Sequence, residues 1–167
     1  MSDYTVPGTD IDIQSLPKIS LHDHLDGGLR PSTILELADS VGASIPEDPI
    51  TGTTIDSPER LGQWFADQAD SGSLVEYLKT FDVTLSVMQT AEGLTRIGRE
   101  FVEDLVDDGV IYGEIRWAPE QHLESGLSLD GAVEAVQAGI DDAVALAATN
   151  GHHIQVGQLI SAMRQND

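Results

Sequence analysis

Two histidines two residues apart, followed at the same interval by an aspartate, are the groups in this sequence best suited to bind a metal ion. His22, His24 and Asp26 lie in the run Lys18-Ile19-Ser20-Leu21-His22-Asp23-His24-Leu25-Asp26. If that run is extended, both imidazoles leave one face with their attachment points about 6.5 to 7 Å apart, a span that two ligands of one metal ion can close. Asp26 continues the same parity. His-x-His arises easily by chance, so the tripeptide alone fits polar loop residues with satisfied hydrogen bonds as well as it fits a metal site. The chain has no cysteine, which excludes thiolate zinc sites, iron–sulfur clusters, disulfide scaffolds and cysteine nucleophiles. Any metal must be held by His, Asp or Glu.

Periodicity and punctuation show which elements hold these residues. Residues 18–25 alternate, with Ile19, Leu21, Asp23 and Leu25 on one face and Ser20, His22 and His24 on the other, and Gly27-Gly28 ends the run. A short strand is expected there. Arg30-Pro31 then reads as an N-cap followed by proline in the first turn, with Ile34, Leu37, Ala38 and Val41 on one helical face before Gly42. Residues 42–58 are rich in turn residues, and a short helix carrying Leu61, Trp64 and Phe65 follows. Ser73-x-x-Glu76 is a capping-box pattern opening a helix to about Met88, and a further helix is expected from about Thr90 to Asp108. Val110–Trp117 reads as a second strand, Ser128 or Asp130 opens a long helix ending at Gly151, and Ile154–Met163 reads as a third strand. Residues 1–15 lack any sustained period and are expected to form a flexible leader, with one domain over 16–167.

Strands joined by helical crossovers predict an α/β fold with a parallel sheet and helices on its outside. Three strands cannot close a barrel. A (β/α)₈ barrel takes about 250 residues, so in that fold the chain supplies about the first three β/α units.

Composition narrows the partners. The 167 residues hold 8 Lys+Arg against 29 Asp+Glu, a formal charge of −21, and such a field repels nucleic acid and anionic lipid alike. The polar, acidic N-terminus has neither the cationic start nor the apolar run of a secretory signal, and no span of about 18 apolar residues occurs. A cytoplasmic protein acting on a small molecule is expected, without nucleic-acid or membrane partners and with its oligomeric state open.

The segment Leu16 to Pro31, and above all Pro17-Lys18-x-x-Leu21-His22-x-His24-Leu25-Asp26-Gly27, resembles the first-strand signature of the adenosine deaminase family within the amidohydrolase superfamily. The similarity continues through Leu74 to Phe81, through Val110 to Pro119, and through Ile160 to Arg164. The resemblance implies a metal-dependent hydrolase on a partial TIM barrel, using one zinc ion per complete enzyme to deaminate adenosine and deoxyadenosine to inosine in purine salvage. His22 and His24 match its zinc ligands, with His24 also beside the substrate, and Asp26 matches the carboxylate that contacts the nucleoside ribose. Leu74, Tyr77, Leu78 and Phe81 match an apolar helix over the pocket, and the same stripe fits plain core packing.

The remaining family residues lie in His-Ala-Gly-Glu and Asp-Asp type motifs that do not occur here, so no catalytic residue is expected within the chain and its isolated activity is expected to be nil. The alternatives are a relative acting on adenine or an adenosine-like nucleoside such as aminofutalosine, and a non-catalytic truncated fragment. Glu114 and Arg116 share a strand face and are expected to pair as structural support. His122, His152 and His153 are expected to be solvated or to cap helices.

Overall fold

The structure, a computed structural model, describes residues 4–164. Three parallel strands, β1 (Lys18–His24), β2 (Val110–Trp117) and β3 (Gln155–Ile160), form one sheet in the order β1-β2-β3. Five helices accompany them: α1 (Pro31–Val41), α2 (Pro58–Ala69), α3 (Leu74–Val87), α4 (Ala91–Asp107) and α5 (Leu129–Thr149). The chain also makes a 3₁₀ turn at Leu25–Gly27, directly after β1, and another at Pro119–His122, directly after β2. Of the leader, residues 1–3 lie outside the described residues. Thr5 and Asp12 form an antiparallel bridge, and a 3₁₀ turn follows at Ile13–Ser15.

Local chemistry explains the helix boundaries. Hydroxyls of Ser57, Ser73, Thr90 and Ser128 each accept from a backbone N–H three residues on, satisfying donors that a helix start leaves free. Ser128 rather than Asp130 therefore opens α5. Gly42 ends α1 at φ 70°, a left-handed cap that a side chain would strain.

The core lies between the sheet and the helices on one side of it, where Leu25, Ile34, Leu94, Ile115, Trp117, Val136 and Ile140 are at most 1% exposed. The opposite sheet face is open, leaving Ile19, Leu21 and Leu159 between 39% and 63% exposed. Tight helix contact sets the back of the fold. Thr95 Oγ1 donates to Ala135 O at 2.9 Å, and a Cβ built on Gly139 would stand 2.0 Å from Thr95 O, so α4 and α5 touch backbone to backbone there.

β1 departs from simple alternation. Ser20 pairs with Gly113 and Asp23 with Ile115, three residues of β1 spanning two of β2. The extra residue makes a bulge. It brings Ser20 Oγ within 2.8 Å of Asp23 Oδ2, so these two side chains meet instead of standing on opposite faces. β3 is also shorter than its apolar pattern, ending at Ile160.

Candidate functional site

The bulge centres on His22, whose φ of 57° is the one left-handed value at a non-glycine among the described residues. Histidine tolerates that region better than most side chains, yet the conformation costs about 1 to 2 kcal/mol relative to ordinary backbone. Such strain persists where surrounding structure fixes it, and it clusters at functional sites. The outcome is that the His22 and His24 rings stand 5.5 Å apart, centroid to centroid. They come together through a kinked strand rather than the even pleat the sequence suggests.

Asp26 follows in the 3₁₀ turn and is 8% exposed. Its Oδ1 lies 3.3 Å from His24 Nδ1. A carboxylate can only accept, so Nδ1 carries the proton and Nε2 is left with its lone pair. Register brings a further group to the same place. His24 pairs with Arg116 across β1 and β2, and the Arg116 guanidinium sits 3.3 Å from His24 Nε2 and 3.4 Å from Nδ1. Glu114, the expected partner of Arg116, instead accepts from the Tyr112 hydroxyl at 3.3 Å, and among the described residues no ion pair joins Glu114 to Arg116. His24 stands directly opposite Arg116 in the register of the two strands, and the guanidinium lies against its ring.

Of the two alternatives expected for His122, solvation fails, because the residue is fully buried, and capping holds, because it bonds Met88, the C-cap of α3. Its Nδ1 stands 3.0 Å from the Met88 carbonyl, its ring centroid is 5.2 Å from that of Trp117, and its Nε2 is buried without a partner. Burial pushes its pKa below the ordinary histidine value, against smaller upward pulls from the Met88 bond and the Asp26 charge. Since a carbonyl only accepts, Nδ1 again carries the proton. Gln89 completes this junction, donating to Leu85 O at 2.8 Å and Gln121 O at 3.0 Å and accepting from Glu124 N at 3.1 Å. Together they tie the end of α3 to the turn after β2. His152 and His153 are exposed, as expected.

A cavity of about 390 Å³ opens beside Asp26, walled by Leu29 and Ile34, by Phe65 of α2 and by Tyr77 and Phe81 of α3. Tyr77 and Phe81 meet edge to face at 5.5 Å. Leu74 and Leu78, from the same stripe, are 70% and 51% exposed. So α3 divides, with one pair of side chains on the cavity and the other facing out. No Lys, Arg or His among the described residues lines the cavity.

The chemistry of the donor set fits zinc in part. Two imidazoles are proper zinc donors, and a histidine ligand usually gives its other ring N–H to a carboxylate, the arrangement His24 and Asp26 adopt. Among the described residues, however, no group of three or more His, Asp or Glu side chains could hold a metal ion. Catalytic zinc takes three protein ligands or more, so these residues fit part of a centre and not a whole one.

Comparison with known proteins now decides the family. The adenosine deaminase family model matches residues 17–167. The chain belongs to the adenosine deaminase family. It is 52% identical over 153 residues to adenosine deaminase 1 of Streptomyces coelicolor, covering 91% of this chain and 37% of that protein. It is 51% identical over 160 residues to adenosine deaminase of Mycolicibacterium gilvum, covering 96% and 42%. The chain thus spans about two fifths of the length of the curated relatives it matches. Among solved structures it superposes on an ADAL–IMP complex with TM-score 0.67 and 33% identity, covering 92% of this chain and 42% of that one. Arabidopsis ADAL complexed with GMP gives 0.66 and 32% over the same shares. These neighbours are TIM-barrel amidohydrolases, and the three-stranded sheet corresponds to part of such a barrel. Within that family frame, the sheet's open face is the side on which a closed barrel packs its interior. Among the described residues no helix is long and apolar enough to cross a membrane.

Proposed function

We propose that this chain carries the N-terminal part of a zinc-dependent adenosine deaminase, supplying two of the metal's ligands and one substrate contact. The observation that carries the reading is the triple His22, His24 and Asp26 in one bulged strand end, within a chain about half identical to adenosine deaminases.

His22 and His24 would hold the zinc, together with ligands the described residues do not provide. Zinc, when bound, supplies a nucleophile at neutral pH by acidifying water. The chain's own residues orient and enclose. Asp26 accepts the Nδ1–H of His24 and thereby fixes Nε2 as the free donor atom. The Arg116 guanidinium lies 3.3 Å from Nε2 and 3.4 Å from Nδ1, nearly equidistant from the two ring nitrogens, so it does not lie along the Nε2 lone pair that a metal would use. The Asp26 carboxylate also borders the cavity, where it can accept from a sugar hydroxyl. Tyr77 and Phe81 cover that side with apolar surface, which excludes water from a base stacked there.

The neighbours complexed with IMP and GMP favour a purine ligand. A nucleoside fits this cavity better than a nucleotide, because phosphate recognition uses Arg or Lys and the described walls carry none. The test is a chimera in which residues 17–164 replace the matched part of the Streptomyces coelicolor relative. A folded, zinc-loaded chimera is expected to convert adenosine to inosine, and His22→Ala or His24→Ala to abolish zinc loading. A folded, zinc-loaded chimera that leaves adenosine untouched and deaminates another purine would overturn the substrate assignment.

A further inference from the structure

The chain has few cations of its own, and the fold has already used most of them. Of eight Lys and Arg residues, six form ion pairs: Lys18, Arg30, Arg60, Lys79, Arg96 and Arg99. A seventh, Arg116, is spent on His24. Among the described residues these six cations are shared by seven carboxylates, those of Asp108, Glu103, Asp104, Asp48, Glu76, Glu36 and Glu100, so at most six negative charges are offset.

The placement of the remainder is unfavourable in dilute buffer. A helix C-terminus is its negative end, where basic side chains stabilise and acidic ones repel. None of the five α-helices has a basic residue in its last turn. Instead, α2 is capped by Asp70 and α4 carries Asp107 in its last turn, although Arg30 and Lys18, reaching in from elsewhere in the chain, pair with Asp104 and Asp108 there. Like charges also repeat at the i, i+4 spacing that brings side chains together, as in Asp130/Glu134 on α5. α5 has four acidic residues in 21 and no basic one. Each of these arrangements opposes folding as long as the charges are unscreened, and each is relieved when the Debye length falls from about 10 Å at 0.1 M salt to about 3 Å at 1 M.

We propose that this chain is built to fold in molar monovalent salt, with bulk cations taking the place of the basic side chains that its surface and the last turns of its helices lack. No discrete cation site is involved. The effect is that of a diffuse field, and it holds whether or not the deaminase reading is correct, since it rests on charge and helix geometry alone.

The test follows the thermal unfolding of the 167-residue chain by circular dichroism from about 0.1 M to about 2 M KCl. A companion series replaces the added salt with sucrose, which strengthens burial without screening charge. A second protein carries Asp107→Lys, Glu134→Lys, Asp141→Lys and Asp142→Lys, four helix positions away from the site. The expected result is a midpoint that climbs by about 15 °C or more across the salt series and much less in sucrose, and a variant that holds its fold in low salt with its salt dependence at least halved. A wild-type chain folded in 0.1 M KCl with a salt-independent midpoint, one unfolded at every concentration, or a variant with undiminished salt dependence would each overturn the proposal.

Discussion

Gly139→Ala probes the packing that holds the sheet in place. The glycine sits on α5 where a Cβ would stand 2.0 Å from Thr95 O and 2.8 Å from Arg99 N, both backbone atoms of α4. Backbone cannot swing aside as a side chain does, so the helices must part by at least 1.4 Å to restore the 3.4 Å at which ordinary contact begins. Alanine gains about 1 kcal/mol over glycine in helix propensity. Against that, overpacking costs about 1 to 3 kcal/mol, and a gap of about 1 Å forfeits a quarter to a half of each dispersion contact along the seam. Parting also breaks the Thr95 to Ala135 hydrogen bond, about 1 kcal/mol. The net expectation is a loss of about 2 to 3 kcal/mol, a large share of a domain stability of about 5 to 15 kcal/mol. Urea unfolding of wild type and variant in the same high-salt buffer reads this directly. Gly157→Ala is the control, since a Cβ there would meet no atom within 4 Å and the residue's φ is not positive, and it should change stability by less than about 0.5 kcal/mol. A Gly139→Ala protein as stable as wild type would show that α4 and α5 do not meet as described.

Three other perturbations separate strain, burial and pairing. His22→Gly removes a side chain from a left-handed position, and the relief of about 1 kcal/mol should offset most of the extra chain entropy of glycine; calorimetry is expected to find stability within about 1 kcal/mol of wild type while zinc affinity disappears. His122 has its pKa depressed by burial, so the folded state binds fewer protons than the unfolded one just below pH 6.5. Its contribution is therefore complete above that pH and is lost as the pH falls through it. Stability measured at about pH 7.5 and pH 5.5 should drop more for wild type than for His122→Gln, and equal drops would refute a neutral buried imidazole. Arg96→Met strands Glu100, which is 7% exposed and, among the described residues, otherwise accepts from Thr33 Oγ1 at 2.6 Å; a loss of about 2 to 4 kcal/mol is expected in urea, and Glu100→Gln in the same background should recover part of it.

Much of this fold is legible in the chain because its helices announce themselves locally. Ser73, Thr90 and Ser128 each cap the helix they precede, and Gly42 stops α1 in the left-handed turn its missing Cβ permits. The parallel order of the strands follows from the helical crossovers between them. Less legible was everything set by partners far along the sequence. The bulge at His22 depends on how β1 registers with β2, 92 residues separate His24 from Arg116, and His122 is buried only because Met88 and Trp117 close around it. A tripeptide on a strand could suggest a metal, but its even pleat implied the wrong geometry for Ser20 and Asp23. Even the capping box at Ser73 is half made, since the Glu76 backbone N–H donates to the Ser73 hydroxyl while the Glu76 carboxylate accepts from Lys79.

Whether His22 and His24 are two ligands of a zinc centre, with its remaining ligands outside the described residues, is read by titrating the chain with Zn²⁺ and following its five imidazoles by nitrogen-15 NMR. His22 and His24 are expected to respond together, with Nε2 of His24 the atom affected, and binding is expected to be weak enough to leave purified protein with well under one zinc per chain. Zinc held stoichiometrically with conversion of adenosine to inosine by the chain alone, or a response at His152 and His153 with His22 and His24 unmoved, would show that the two histidines are not half of a divided metal centre.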